Sequence, residues 1–163
     1  MGFRNAVSKV VKGNVNSHSN YAGISREFYP KASLWVALDS NKSQEVLDDL
    51  VEDFYYVYYW YKLKGDAIHQ EFIAELIFHM ATLWGKRQAV KKAQRVLNIT
   101  SDGVMGDVTI EAINNSDPKA FINNYLLEAI EFYTQAAKRD PSNFRDRISS
   151  IVEIYYDAMR RYS

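Results

Sequence analysis

Apolar side chains recur at three- and four-residue intervals through nearly the whole of this 163-residue chain, and no stretch alternates convincingly with the two-residue period of a strand. The pattern restricts the fold to packed helices. Phe3, Ala6, Val7, Val10 and Val11 predict a short amphipathic helix that stops near Gly13, before a polar surface loop over 13–20. After Pro30 and an apolar piece from Leu34 to Leu38, Ser43 is placed to cap a long helix. Its buried stripe reads Val46, Leu47, Leu50, Val51, Phe54, Val57, Tyr58 and Tyr61, and Lys62-Leu63-Lys64-Gly65 supplies stop signals.

Asp66 is the expected cap of a central helix carrying Ile68, Phe72, Ile73, Leu76, Met80 and Leu83, which ends near Gly85. A further helix turns Ala89, Val90, Ala93, Val96 and Leu97 inward before the turn Thr100-Ser101-Asp102-Gly103. A short helix around Val108 to Ile113 precedes Asp117-Pro118, a cap followed by an N1 proline. Phe121, Ile122, Tyr125, Leu126, Ala129, Ile130 and Tyr133 then repeat at helical spacing. The last helix starts at Pro141 and Ser142, with Ile148, Ile151, Val152, Tyr155 and Met159 on its apolar face.

A composition of 47% hydrophobic and 14% aromatic residues is enough for one buried core, and no internal repeat or long linker requires independent domains. Twenty Lys and Arg balance twenty Asp and Glu, so no broad field points to nucleic acid. The absence of cysteine excludes disulfides and thiolate metal sites. The first residues, Met1 to Lys9, lack the continuous apolar stretch of a signal peptide, so classical export is not expected. Gly2 lacks the downstream Ser or Thr that myristoylation favours. The apolar run from Phe54 to Tyr61 falls far short of the roughly 20 residues that span a bilayer, so no membrane insertion is expected.

Two sets of motifs point to one family. Gln94-Arg95-Val96-Leu97-Asn98-Ile99, then Ser101-Asp102-Gly103-Val104-Met105-Gly106 and Thr109-Ile110-Glu111-Ala112-Ile113, form a helix, an Asp-Gly turn and a second helix. In that turn Gly106 would permit close packing and Asp107 would cap the following helix. Earlier in the chain stand Asn20-Tyr21-Ala22-Gly23-Ile24-Ser25 with Tyr29-Pro30, and Tyr59-Trp60 with Leu63. In this order they resemble the glycoside hydrolase family 108 muramidases, phage endolysin-like proteins that end in a predicted peptidoglycan domain. The resemblance implies an all-α, lysozyme-like fold with two fused helical halves, 1–85 muramidase-like and 86–163 peptidoglycan-domain-like. It implies peptidoglycan as partner, hydrolysis of its β-1,4 glycan bonds, and no cofactor.

The chain departs from the family at chemically important places. Where members carry Glu-Gly-Gly at the end of the first helix, with the glutamate as general acid, this chain reads Lys12-Gly13-Asn14. The following loop is shortened. His79 stands at a family aspartate position, and Thr82-Leu83 replace a Val-Asn pair. Glycosidic cleavage needs a proton donor of raised pKa and a group or water to meet the oxocarbenium ion. Glu27 is the nearest substitute acid, although Arg26 beside it favours the ionised form, and a solvated or ion-paired surface role is the alternative.

Other groups have two readings each. Glu71, Glu75 and His79 share a helix face at i, i+4, i+8, yet one helix does not complete a metal cage, and a polar Glu75–His79 pair on the helix rim is the simpler expectation; no metal is expected. His18 and His69 are isolated. The aromatic run 54–61 wraps its helix, so some rings are core and others face solvent or a cleft; Tyr55, Tyr56 and Tyr59 are the candidates for exposure. Tyr21, Tyr55, Tyr59 and Trp60 are therefore candidate substrate-binding residues. Lys86, Arg87, Lys91, Lys92 and Arg95 give their helix a basic side that reads as solvation.

Two functions follow. The first is a peptidoglycan-directed protein whose hydrolytic activity is in question without the acid, released by lysis or a holin or carried in a particle. The second is a non-enzymatic component that reuses the scaffold to contact proteins of a virion or contractile injection particle.

Overall fold

The computed structural model describes residues 2–12, 14–139, 141–142 and 144–162. Its elements are α1 (Gly2–Val11), the two-residue strands β1 (Asn20–Tyr21) and β2 (Ile24–Ser25), α2 (Ser33–Asp39), α3 (Gln44–Tyr55), a π-helical turn (Tyr56–Trp60) and a 3-10 turn (Gly65–Ala67). Then come α4 (Glu71–Trp84), α5 (Lys86–Val96), α6 (Asp107–Asn115), α7 (Pro118–Ala137) and α8 (Phe144–Tyr162). The all-α expectation holds apart from one small hairpin.

That hairpin was invisible to periodicity because each strand has only two residues, with Asn20 opposite Ser25 and Tyr21 opposite Ile24. Its turn residues Ala22 and Gly23 both have positive φ, 51° and 80°, the twist a two-residue hairpin needs. Ala22 adopts this disfavoured conformation because the Asn16 side chain accepts from its N–H at 2.8 Å and the Tyr55 hydroxyl donates to its carbonyl at 2.8 Å.

Helix α4 is apolar on nearly every side and is the axis of the core, with Phe72 to Ala81 buried throughout. Helices α1, α5 and α8 pack on it. One continuous core runs from Ala6 and Val7 of α1 to Ile151 and Ala158 of α8.

The expected stripe of the third helix misses at Val46, which is exposed, holds from Leu47 to Phe54 and fails after Phe54. Val57, Tyr58 and Tyr61 are exposed, whereas Tyr55, Trp60 and Leu63 are buried. The cause is the π-helical turn, in which the Tyr61 N–H bonds to the Tyr56 carbonyl at 2.8 Å. An i→i+5 turn advances the inward position by five residues, from Tyr55 to Trp60, where an α-helix would bring in residue 58 or 59.

Several expected caps have other partners. Ser43 occupies the N-cap position without a side-chain hydrogen bond. Asp66 lies in the 3-10 turn and accepts from Trp60 Nε1 at 2.8 Å and the Tyr56 hydroxyl at 3.2 Å, so α4 starts later, at Glu71. Asp107 pairs with Lys64 at 2.7 Å instead of capping α6. Asp117 does cap α7, accepting from the Ala120 N–H at 2.8 Å, with Pro118 in the first turn.

In the Asp102-Gly103 turn, buried Gln94 is the organiser. Its Nε2 donates to Asp102 and to Thr109, at 2.7 and 3.0 Å, and its Oε1 accepts from the Gly103 N–H at 2.8 Å. Gly106, expected to allow close packing, faces open space.

Candidate binding cavity

A cavity of about 280 Å³ opens where α1, the hairpin, the α3 end with its π turn, α4 and α8 meet. Val10 and Lys12 come from the end of α1, Gly23 from the hairpin, Tyr55 and Tyr59 from the aromatic run, His79 and Thr82 from α4, and Ser150 and Ile154 from α8. The fold thus brings together Lys12, His79 and Thr82, three positions at which the sequence departs from the family pattern. No carboxylate lines this cavity among the described residues.

The tyrosines build its apolar wall. The hydroxyls of Tyr29 and Tyr59 lie 3.2 Å apart, and burial raises the Tyr59 pKa above its ordinary value. Lys86 places its ammonium 4.5 Å from the centre of the Tyr59 ring, on a side chain whose pKa burial and nearby Lys62 lower. Tyr55 was expected to be exposed; it is 3% exposed and lends only part of its ring to the cavity while its hydroxyl holds the hairpin. Gly23 has to be a glycine here, since a Cβ would stand 2.9 Å from that hydroxyl.

His79 is buried at 4% exposure and its Nε2 has no hydrogen-bond partner. Burial, with Lys9 nearby, lowers its pKa to about 4, so at neutral pH the ring is uncharged. The rim pair expected of Glu75 and His79 does not form: Glu75 is equally buried and is engaged by Arg161 at 2.5 and 2.9 Å and by Asn5 at 3.0 Å. Its carboxylate is committed to structure. Lys9 bridges the same cluster, 3.5 Å from Glu75 and hydrogen-bonded to Asp157 of α8.

An adjoining recess adds Glu153, Asp157 and Arg160 from α8. Burial acts to raise the Asp157 pKa, but the hydrogen bond and charge of Lys9, with Arg161 and Arg160, outweigh it and hold the carboxyl below its ordinary value. Glu153 is exposed on the rim.

The remaining sequence candidates lie elsewhere. Glu27 is exposed and does not line the cavity, and the neighbouring Arg26 pairs with Asp39. Tyr21 is buried with its hydroxyl accepting from Gln44 at 3.0 Å, in a separate depression between α1 and α3. Trp60 is core, 3% exposed, and does not line the cavity. His18 and His69 are exposed. The basic side of α5 is less solvated than its sequence suggests: Lys92 is buried, 3.1 Å from Glu128 and 5.5 Å from the centre of the Trp84 ring. Sequence reasoning missed Lys9, Ser150 and Ile154, since nothing in their spacing shows that the last helix reaches the end of the first.

Two family models divide the chain. Residues 13–85 match glycosyl hydrolase 108 and residues 88–147 match the predicted peptidoglycan domain. The chain is thus similar to glycosyl hydrolase 108 over its first half and to the predicted peptidoglycan domain over most of its second. A solved structure of SagA from Brucella abortus aligns over 97% of this chain and 94% of its own, with a TM-score of 0.73 at 19% identity. The likeness shows a shared helical fold. No curated protein matches the chain. Lys12, at the expected acid position, immediately precedes the glycosyl hydrolase 108 match. Among the described residues no helix is long and apolar enough to cross a membrane.

Proposed function

We propose that this protein binds peptidoglycan glycan in the cavity between α1, α4 and α8 and does not cleave it. The observation that carries the reading is that the described lining of the cavity holds no carboxylate, Glu153 and Asp157 entering only through the adjoining recess that shares Lys9, Lys12 and His79 with it. Its titratable groups cannot replace one. A lysine ammonium is too weak an acid to protonate a glycosidic oxygen efficiently, His79 has already lost its proton at neutral pH, and the hydroxyl of Tyr59 is held above its usual range. Tyrosine rings, hydroxyls and an ammonium nevertheless suit a sugar, whose ring faces stack on aromatics while its edges hydrogen-bond. The peptidoglycan domain at 88–147 supports the same target.

Two measurements test the proposal. Purified cell wall is incubated with the protein and followed by turbidity and by zymogram, with Glu27→Gln and Glu153→Gln in parallel. No clearing by wild type is expected, whereas clearing that either variant abolishes would overturn the non-catalytic reading. Sedimentation with insoluble wall should then retain the protein; its failure would favour the assembly role in a particle.

A further inference from the structure

We propose that the end of α8, residues 157–162, is a strap that a charged latch holds against α1 and α4, and that it lets go as one unit while the rest of the fold stays intact. The recess lined by Lys9, His79, Glu153, Asp157 and Arg160 has α8 along one side, and Glu75 and His79 face Asp157, Ala158 and Arg161 across the joint. Release of the strap therefore opens the recess and uncovers both residues.

The strap is fastened by charge more than by apolar contact. Ala158 is its only buried residue; the others are half-buried or exposed. Arg161 reaches Glu75 of α4 at 2.5 and 2.9 Å, and Asp157 pairs with Lys9 of α1. Arg160 and Arg161 lie 3.7 and 3.8 Å from Asp157, which completes a set of three cations on two anions, with Lys12 and Glu153 lining the recess beside them. The aromatic contact at this end is Phe72 with Tyr162, ring centres 6.0 Å apart. Desolvating such charges offsets much of their attraction, so this joint separates at smaller cost than a packed apolar one.

The body keeps its own partners when the strap leaves. Glu75 retains Asn5 at 3.0 Å and Lys9 at 3.5 Å, both on α1, and gains water on the face that α8 covered. His79 Nε2, buried without a hydrogen-bond partner, lies at the same joint, and opening lets water reach it. Behind the strap, Ile151 is wholly buried and the Tyr155 hydroxyl donates to Asn123 Oδ1 of α7 at 2.8 Å. These two contacts hold α8 in place while its end lets go.

The test uses single thiols and hydrogen exchange. The chain has no cysteine, so Ala158→Cys places one buried thiol under the strap and Ala81→Cys places one within α4. In native buffer Ala158→Cys should react with a disulfide reagent at least about tenfold faster than Ala81→Cys, at a rate that low urea leaves unchanged. Ala81→Cys should react through global unfolding, with a steep urea dependence. Adding Asp157→Asn should raise the Ala158→Cys rate about tenfold. Hydrogen exchange checks the same opening without a core substitution: amides 158–161 should share one protection factor, which Asp157→Asn lowers for all of them together. Equal labelling rates with the same urea dependence overturn the strap, because α8 would then open only with the whole fold. Protection that declines residue by residue toward the end, unmoved by Asp157→Asn, also overturns it, as ordinary fraying of a terminus. Neither readout involves a ligand, so the outcome is independent of wall binding.

Discussion

Arg161 grips Glu75 through both guanidinium nitrogens, at 2.5 and 2.9 Å, and so pins the last helix to the central one. Glu75 is almost wholly buried, and a buried carboxylate deprived of its main partner is strongly destabilising. Arg161→Met should lower unfolding free energy by about 3 kcal/mol in a urea titration. Removing both charges with Glu75→Met and Arg161→Met should recover part of the loss. Arg4→Met, which breaks the exposed pair with Glu52, should cost less than about 1 kcal/mol.

His79 makes stability depend on pH. Its folded pKa of about 4 lies below the ordinary 6.5, so between these values the unfolded chain binds more protons. Stability from the neutral ring is complete above pH 6.5, falls as pH drops toward 4, and levels off below. The gap corresponds to a loss of about 3 kcal/mol across that window. Urea unfolding of wild type and His79→Gln at pH 7.5 and 4.5 should show the larger fall in wild type; parallel falls would refute it.

Gly103 and Gly106 sit three residues apart in the same motif and should respond differently to alanine. Gly103 has φ of 80°, and a Cβ there would stand 2.6 Å from the Arg87 side chain and 3.1 Å from its carbonyl oxygen. Gly103→Ala should therefore cost about 2 kcal/mol. Gly106 has an ordinary negative φ and open space, so Gly106→Ala should change thermal or urea stability by less than about 1 kcal/mol.

The helices were legible in the sequence because apolar spacing records which face is buried, and Asp117-Pro118 marked a true start. What periodicity could not show was a change of period. The aromatic run offered rings on every side, so only the π turn decided that Trp60 goes in and Tyr58 and Tyr61 stay out. Long-range pairing was equally hidden: Glu75 and Lys92 read as surface charges until Arg161, 86 residues away, and Glu128, 36 residues away, supplied their partners. For the site, the substitution at Lys12 was plain from the chain alone. Its convergence with His79, Thr82 and the last helix required the fold.

The aromatic run also yields a test that separates the cavity from the rest of the surface. Tyr59 lines the cavity and Tyr61, two residues on, is 65% exposed outside it. If wall glycan binds in the cavity, Tyr59→Leu removes a flat face and a hydroxyl from the site while keeping apolar bulk, and Tyr61→Leu removes a ring that touches no sugar. Sedimentation with insoluble cell wall should show several-fold weaker retention for Tyr59→Leu and unchanged retention for Tyr61→Leu, with circular dichroism verifying that both are folded. The reverse order would move the binding face to the outward side of the π turn, where Tyr58 and Val57 are also exposed.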